Sequence, residues 1–145
     1  MRIALVPVFS LFVVLAIARA GDPPADLQRM QGVWKVIYLE EKGKKVPDKE
    51  LKLMDAIIKK DTVTIRVGNE VGGEFTVKLD PKQTPKAVDL THTFGDDKGK
   101  TELGIYSIEE DILKFCVEEL RKDRPKSFEG AATASCSILI LKRKQ

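Results

Sequence analysis

Gly32-Val33-Trp34-Lys35-Val36-Ile37-Tyr38-Leu39 is the stretch on which the fold class turns. It is rich in aromatic and β-branched residues, with Trp34, Val36 and Tyr38 on one side and Val33, Lys35 and Ile37 on the other, so it reads as the first strand of a sheet with one face on a core. Immediately before it, Asp22-Pro23-Pro24-Ala25-Asp26-Leu27-Gln28-Arg29-Met30-Gln31-Gly32 has the pattern of a short helix. Asp22 would be the N-cap, Pro23 the first helical residue, Leu27 and Met30 the apolar face and Gly32 the stop. So short a helix is not stable alone and must dock on the rest of the molecule.

Downstream, Glu40 to Pro47 is a charged loop with a turn at Gly43. Residues 48–60 are ambiguous: Leu51, Met54 and Ile58 fall at helical spacing, while Ala56-Ile57-Ile58 runs into a turn at Lys60-Asp61, so a helical turn leading into a short strand is expected. Clear strands follow at Thr62–Val67, Glu74–Leu79, Lys86–His92, Thr101–Ile108, Ile112–Val117 and Ser135–Arg143, with Gly68-Asn69 and Gly72-Gly73 bracketing a turn. Asp80-Pro81 and Pro85 form a rigid two-proline corner, with Asp80 able to bond its own backbone two residues on. Short strands at regular intervals with no long helix between them predict an all-β fold, an antiparallel barrel of about eight strands with a short N-terminal helix. Closure would remove the exposed edges that such a meander otherwise leaves.

The chain has 145 residues, and its first 20 read as a leader. Met1-Arg2 is a positive start, Ile3 to Ile17 an apolar run, and Ala18-Arg19-Ala20 a small-x-small cleavage site. The run would span only about 22 Å as a helix, against a hydrocarbon core of roughly 30 Å, and Pro7 interrupts it. The expectation is therefore a signal peptide over 1–20 and one exported domain over 21–145, periplasmic or extracellular, with no membrane attachment after cleavage. Without Arg2 and Arg19 the domain carries a formal charge of +1, so it lacks the basic excess that nucleic acid or an anionic membrane would need. Cys116 and Cys136 have two readings in an oxidising compartment: buried free thiols on neighbouring strands, or a bridge closing a loop of about 20 residues, worth roughly 3 kcal/mol. The bridge is feasible if Leu139 and Leu141 point inward, so that both cysteines face out, and not if Ile138 and Ile140 do. Two cysteines and one histidine, with no Cys-x-x-Cys spacing, do not form a metal site.

The short helix, Gly32-Val33-Trp34 and an eight-strand meander ending in a basic residue resemble the lipocalin and lipocalin-like barrels. The resemblance implies that Trp34 sits at the closed base of the barrel and that a basic side chain of the last strand, Arg143 before Lys142, lies across it. A closer resemblance is to an exported lipocalin-like domain family of unknown function, abundant in planctomycete bacteria. It is carried by Leu27 to Val36, Leu79 to Leu90, and Gly104-Ile105-Tyr106 with Arg124-Pro125-Lys126-Ser127-Phe128 and Leu139 to Arg143, and it implies no activity.

Gly32, Trp34 and Arg143 are accordingly read as structural. Arg124 is read as solvated or bonded to backbone, with an anion contact as the alternative, and Asp89 and Asp111 as strand carboxylates facing water. His92 shares its alternation face with Val88 and Leu90 and is the one candidate polar handle inside the barrel, but no nucleophile pattern accompanies it, and Gly72-Gly73 lacks the residues of a phosphate loop. No catalytic residue, enzymatic activity, cofactor or metal is expected. The expected function is binding of a small apolar or amphipathic ligand inside the barrel, lined by Val36, Tyr38, Ile65, Phe75, Val77, Leu90, His92 and Phe115, with Val63 and Val117 beside them. The alternative is a packed barrel acting through its loops as a protein-interaction module.

Overall fold

Helix α1 (Ala25–Met30) leads into strand β1 (Gly32–Glu41), followed by β2 (Lys44–Lys45), helix α2 (Asp48–Leu51), β3 (Met54–Lys59), β4 (Thr62–Val67), β5 (Glu70–Asp80), β6 (Ala87–His92), β7 (Thr101–Glu109), β8 (Ile112–Glu118) and β9 (Cys136–Arg143). The structure is a computed structural model and describes residues 24–118, 123–128 and 136–145. The expected leader over 1–20, the start of the mature chain at Gly21, the cap residues Asp22 and Pro23, and Ser135 lie outside the described residues.

Strands β1, β3, β4, β5, β6, β7, β8 and β9 follow one another as an antiparallel meander, and β9 returns to pair with β1. The result is a closed, lipocalin-like eight-stranded barrel, with β2 a two-residue addition to the end of β1. The ambiguous stretch resolves into α2 and a full strand, β3, whose Ala56 and Ile58 face the core beside Ile65 and Val63 of β4.

Two register shifts correct the sequence reading. Between Val36 and Tyr38 the pairing of β1 with β9 slips by one residue, leaving Ile37 as a bulge. An extra residue reverses which side chains face inward. Trp34 and Val36 are therefore buried, but beyond the bulge it is Leu39 that packs against the core, and Tyr38 points outward, its hydroxyl donating to Glu40 Oε2 at 2.5 Å beneath Lys45. The second shift lies in β5, where Gly72 is the extra residue against β4. Gly72-Gly73 is thus not part of a turn, since β5 begins at Glu70, directly after Gly68-Asn69.

The interior has a packed end and a hollow one. At the packed end α1 lies under the barrel: Trp34 is fully buried and its indole N–H donates to the Met30 carbonyl at 2.8 Å. Arg143 Cζ is 4.2 Å from the Trp34 ring centroid, and the guanidinium also donates to the Gln31 carbonyl at 2.9 Å and to the Arg29 carbonyl. The helix stops just before Gly32, as expected. Gln31 is the C-cap, and Gly32 opens β1 at φ +118°, a conformation that a side chain would strain and that turns the chain abruptly from helix to strand beneath Arg143. The helix begins at Ala25 with Pro24 at the cap position. Asp26 ties it down, accepting from Lys86 Nζ at 2.7 Å and from the Tyr106 hydroxyl at 2.8 Å.

A second, smaller cluster lies on the outer face of the barrel. Ile105, Cys116 and Cys136 are buried there against Phe128 and Ile138. Arg124 anchors the covering segment by donating to the carbonyls of Val88 and Gly104 and to Asp89 Oδ1, each at 2.8 Å, so it is bonded to backbone and Asp89 is its ion-pair partner. Leu139 and Leu141 face inward, and both cysteines face out. Cys116 stands opposite Ile138, while Cys136 stands opposite Glu118, so the cysteines are diagonal neighbours. Both are free thiols, with the Cys116 and Cys136 side chains within hydrogen-bond reach of each other.

Candidate functional site

Above the packed layer the barrel opens into a cup of about 880 Å³. Its wall follows from strand register. Phe75 of β5 stands opposite His92 of β6, Leu90 opposite Glu102 of β7, and Phe115 of β8 opposite Leu139 of β9, which places all six side chains on the inner face. Leu39, Ile65, Gly72, Gly73, Glu74, Val117 and Ser137 also line it. The rim is charged: Glu41, Lys42, Lys44 and Lys45 come from the β1–β2 hairpin, and Asp96 and Asp97, with the apolar Phe94, from the loop between β6 and β7.

Of the expected lining, Ile65, Phe75, Leu90, His92, Phe115 and Val117 bound the cup. Val36, Val63 and Val77 do not, because they lie lower, in the close-packed layer above Trp34. Tyr38 does not because the Ile37 bulge has turned it outside. Leu39, Glu102, Ser137 and Leu139 went unrecognised. Glu102 belongs to the same alternation set as Tyr106, but only the register with Leu90 shows that this set faces inward.

One polar feature of the wall is a pair. His92 Nε2 lies 3.0 Å from Glu102 Oε1, with both side chains largely shielded. The His92 ring stands edge-on to Phe75, centroids 6.4 Å apart, and Phe75 meets Phe115 in the same way at 6.4 Å. The dyad is thus held between an aromatic floor and the rim. At the rim a hydrogen bond from Lys100 holds the Asp97 carboxyl below its ordinary range, and the charges of His92 and Lys42 act in the same direction.

Chemically, the cup offers apolar area for a ligand body and polar side chains, the His92–Glu102 pair among them, for a head group. The volume lies in the range of small-molecule sites, roughly 300–1,000 Å³. A histidine beside a carboxylate is also the geometry of a general base, but no Ser or Cys side chain is hydrogen-bonded to His92 among the described residues. Nor do the described residues gather three His, Cys, Asp or Glu side chains as a metal site requires. No protein-family model, curated protein or solved structure matches the chain.

Proposed function

We propose that this chain is a small binding protein of the lipocalin-like type, exported to the periplasm or beyond, that takes one small amphipathic molecule into the open end of its barrel. The observation that carries the reading is the division of the interior. Half is packed by Trp34, Val36, Val63, Leu113 and Leu141, and half is a cup of about 880 Å³ walled by Leu39, Ile65, Phe75, Leu90, Phe115 and Leu139. Apolar side chains fronting an open cavity contribute less to stability than the same side chains buried, because they lack packing partners on one side. Leu39, Ile65 and Leu139 are left only partly buried there, which makes physical sense if a ligand completes their burial. The alternative of a packed interaction module has less support, since a module acting through its loops needs no hollow interior. The export component rests on the apolar run and Ala18-Arg19-Ala20.

Native mass spectrometry of the protein purified from its own host tests the proposal, with titration of the delipidated protein by the fluorescent apolar probe N-phenyl-1-naphthylamine as its companion. A co-purifying small molecule, or saturable probe binding at one site abolished by Leu39→Trp, is the expected result. Protein that carries no added mass and gives no saturable probe signal overturns it.

A further inference from the structure

We infer that the ligand carries a flat ring system, and that Gly73 is the residue that admits it, by leaving the cup wall without a side chain where the ring lies. This rests on the ligand-carrying role proposed above and adds the chemical class and the place of contact.

The fold gives no reason of its own for a glycine at position 73. A glycine inside a strand gives up stability to backbone entropy and packs nothing, so it usually answers a steric need or the close approach of another group. Gly32, Gly43, Gly68, Gly95 and Gly99 have positive φ. A Cβ at Gly72 would lie 2.7 Å from Val67 Cγ2, and one at Gly104 2.5 Å from Val117 Cγ1. Gly73 alone among the described glycines has neither feature. Its φ is not in the left-handed region, and beyond its chain neighbours no described atom lies within 4 Å of a Cβ built on it. Nor does the bulge of β5 account for it, since the extra residue is Gly72.

The open space beside Gly73 is the cup. Gly73 stands opposite Ile65, whose side chain is on the inner face, so a side chain at position 73 would project into the cup as well.

The neighbours of this bare backbone are aromatic. Phe75 follows two positions along the same inner face, edge-on to His92 and to Phe115. The Thr93 N–H donates to the Glu74 carbonyl at 2.9 Å, which carries the β5–β6 pairing one step past His92, so Phe94 follows at the level of Gly73. Phe94 does not cover the glycine and is itself 49% exposed. A ring laid flat on the backbone at Gly73 touches it directly, meets Phe75 and Phe94 in the edge-on or offset arrangements that aromatic pairs favour, and takes Phe94 out of water. A β-carbon at position 73 would hold such a ring off the wall, whereas a flexible alkyl chain can bend around it.

The test compares Gly73→Ala and Gly73→Val with the wild-type protein, by thermal unfolding and by binding of N-phenyl-1-naphthylamine. The competing ligands are 2-naphthol and 1-decanol, matched in carbon count and carrying one hydroxyl each. Both variants should melt at or above the wild-type temperature, because the added atoms enter open space and stiffen the unfolded chain. Gly73→Val should weaken N-phenyl-1-naphthylamine and 2-naphthol by about tenfold or more and 1-decanol by less than about threefold, with Gly73→Ala between it and the wild type. Should Gly73→Val alone be destabilised, the same ordering read on Gly73→Ala decides. A lowered melting temperature in both variants would show that the fold itself requires the glycine and overturns the inference. Equal losses for ring and chain, no loss for either, or a wild-type protein that binds 1-decanol and neither ring ligand overturn it too, while leaving the ligand-carrying role intact. If the wild-type protein binds none of the three, the proposed function fails first and this inference with it.

Discussion

Arg143 does three things with one side chain: it covers the Trp34 ring, donates to the Arg29 and Gln31 carbonyls at the helix end, and lies 3.6 Å from Asp111. Arg143→Ala should therefore lower stability by about 2–3 kcal/mol in urea unfolding, and Arg143→Lys should recover less than half of that, because an ammonium cannot reach both carbonyls while lying flat on the indole. A loss under about 0.5 kcal/mol would refute the assignment of this contact as the clasp of the closed end. The cysteines are a second residue-scale case. Burial pushes the Cys116 thiol up to about 12, with Cys136 and Glu118 adding to the effect, and the Cys136 thiol donates to Glu118 Oε2 at 2.5 Å. A thiol so placed is a poor nucleophile. Ellman titration should find two thiols per chain after denaturation without reductant and almost none in the folded protein over the same minutes; none after denaturation would mean a bridge.

Among the elements, β7 carries the sharpest packing constraint. A Cβ added at Gly104 would sit 2.5 Å from Val117 Cγ1 and 2.6 Å from the Cys116 carbonyl oxygen, so Gly104→Ala must push β7 away from β8. The expected cost is about 1–3 kcal/mol, and Val117→Ala in the same chain should relieve only part of the added strain, since the carbonyl stays in the way. Full relief in a double-mutant cycle would show that the backbone contact is harmless. The strands were largely legible in the sequence because alternation survives wherever pairing is regular, as in Phe75, Val77 and Leu79 or Leu113, Phe115 and Val117. The bulges were not. Ile37 is a strong strand former with nothing local to mark it as surplus, and its insertion is decided by the partner β9. That single residue accounts for Tyr38 being assigned to the cup and Leu39 being overlooked. Leu139 was hidden for a different reason: β9 is apolar on both faces, because its outer face is covered by Phe128. Of the site, the aromatic and aliphatic wall and His92 could be read from the chain, while Glu102 needed the register of β6 against β7.

For the molecule as a whole, stability and binding should map to opposite ends of the barrel. Leu113→Ala in the packed layer should cost about 2–5 kcal/mol, whereas Leu139→Ala at the cup should cost distinctly less and show its effect in ligand affinity; equal losses of stability would contradict the division. The closed end also sets the response to acid. Burial raises the Asp26 pKa, but the hydrogen bonds from Lys86 and Tyr106, with the charges of Lys86 and Arg29, outweigh it and leave the carboxyl below its ordinary value. A carboxyl depressed in the folded state stabilises the fold above its unfolded value, about pH 4, and that contribution disappears as the pH falls through the folded value. Asp26→Asn should thus cost about 1–3 kcal/mol at pH 7 and progressively less below pH 4, with the Tyr106 hydroxyl still able to bond the amide. An unchanged difference between the two pH values would show that the Asp26 charge contributes nothing. The seam between β1 and β9 has a further consequence, in time rather than in space. Arg143 reaches the Gln31 carbonyl 112 positions earlier in the chain, so no amount of local folding can shut the barrel before its last strand arrives. Until then β1 and β8 each present a bare edge, and the chain belongs with slow, topologically remote folders that invite mispairing with their own kind. Dilution and chaperones that shield strand edges should raise the yield of refolded protein, and loss of β9 should yield aggregates rather than a smaller barrel.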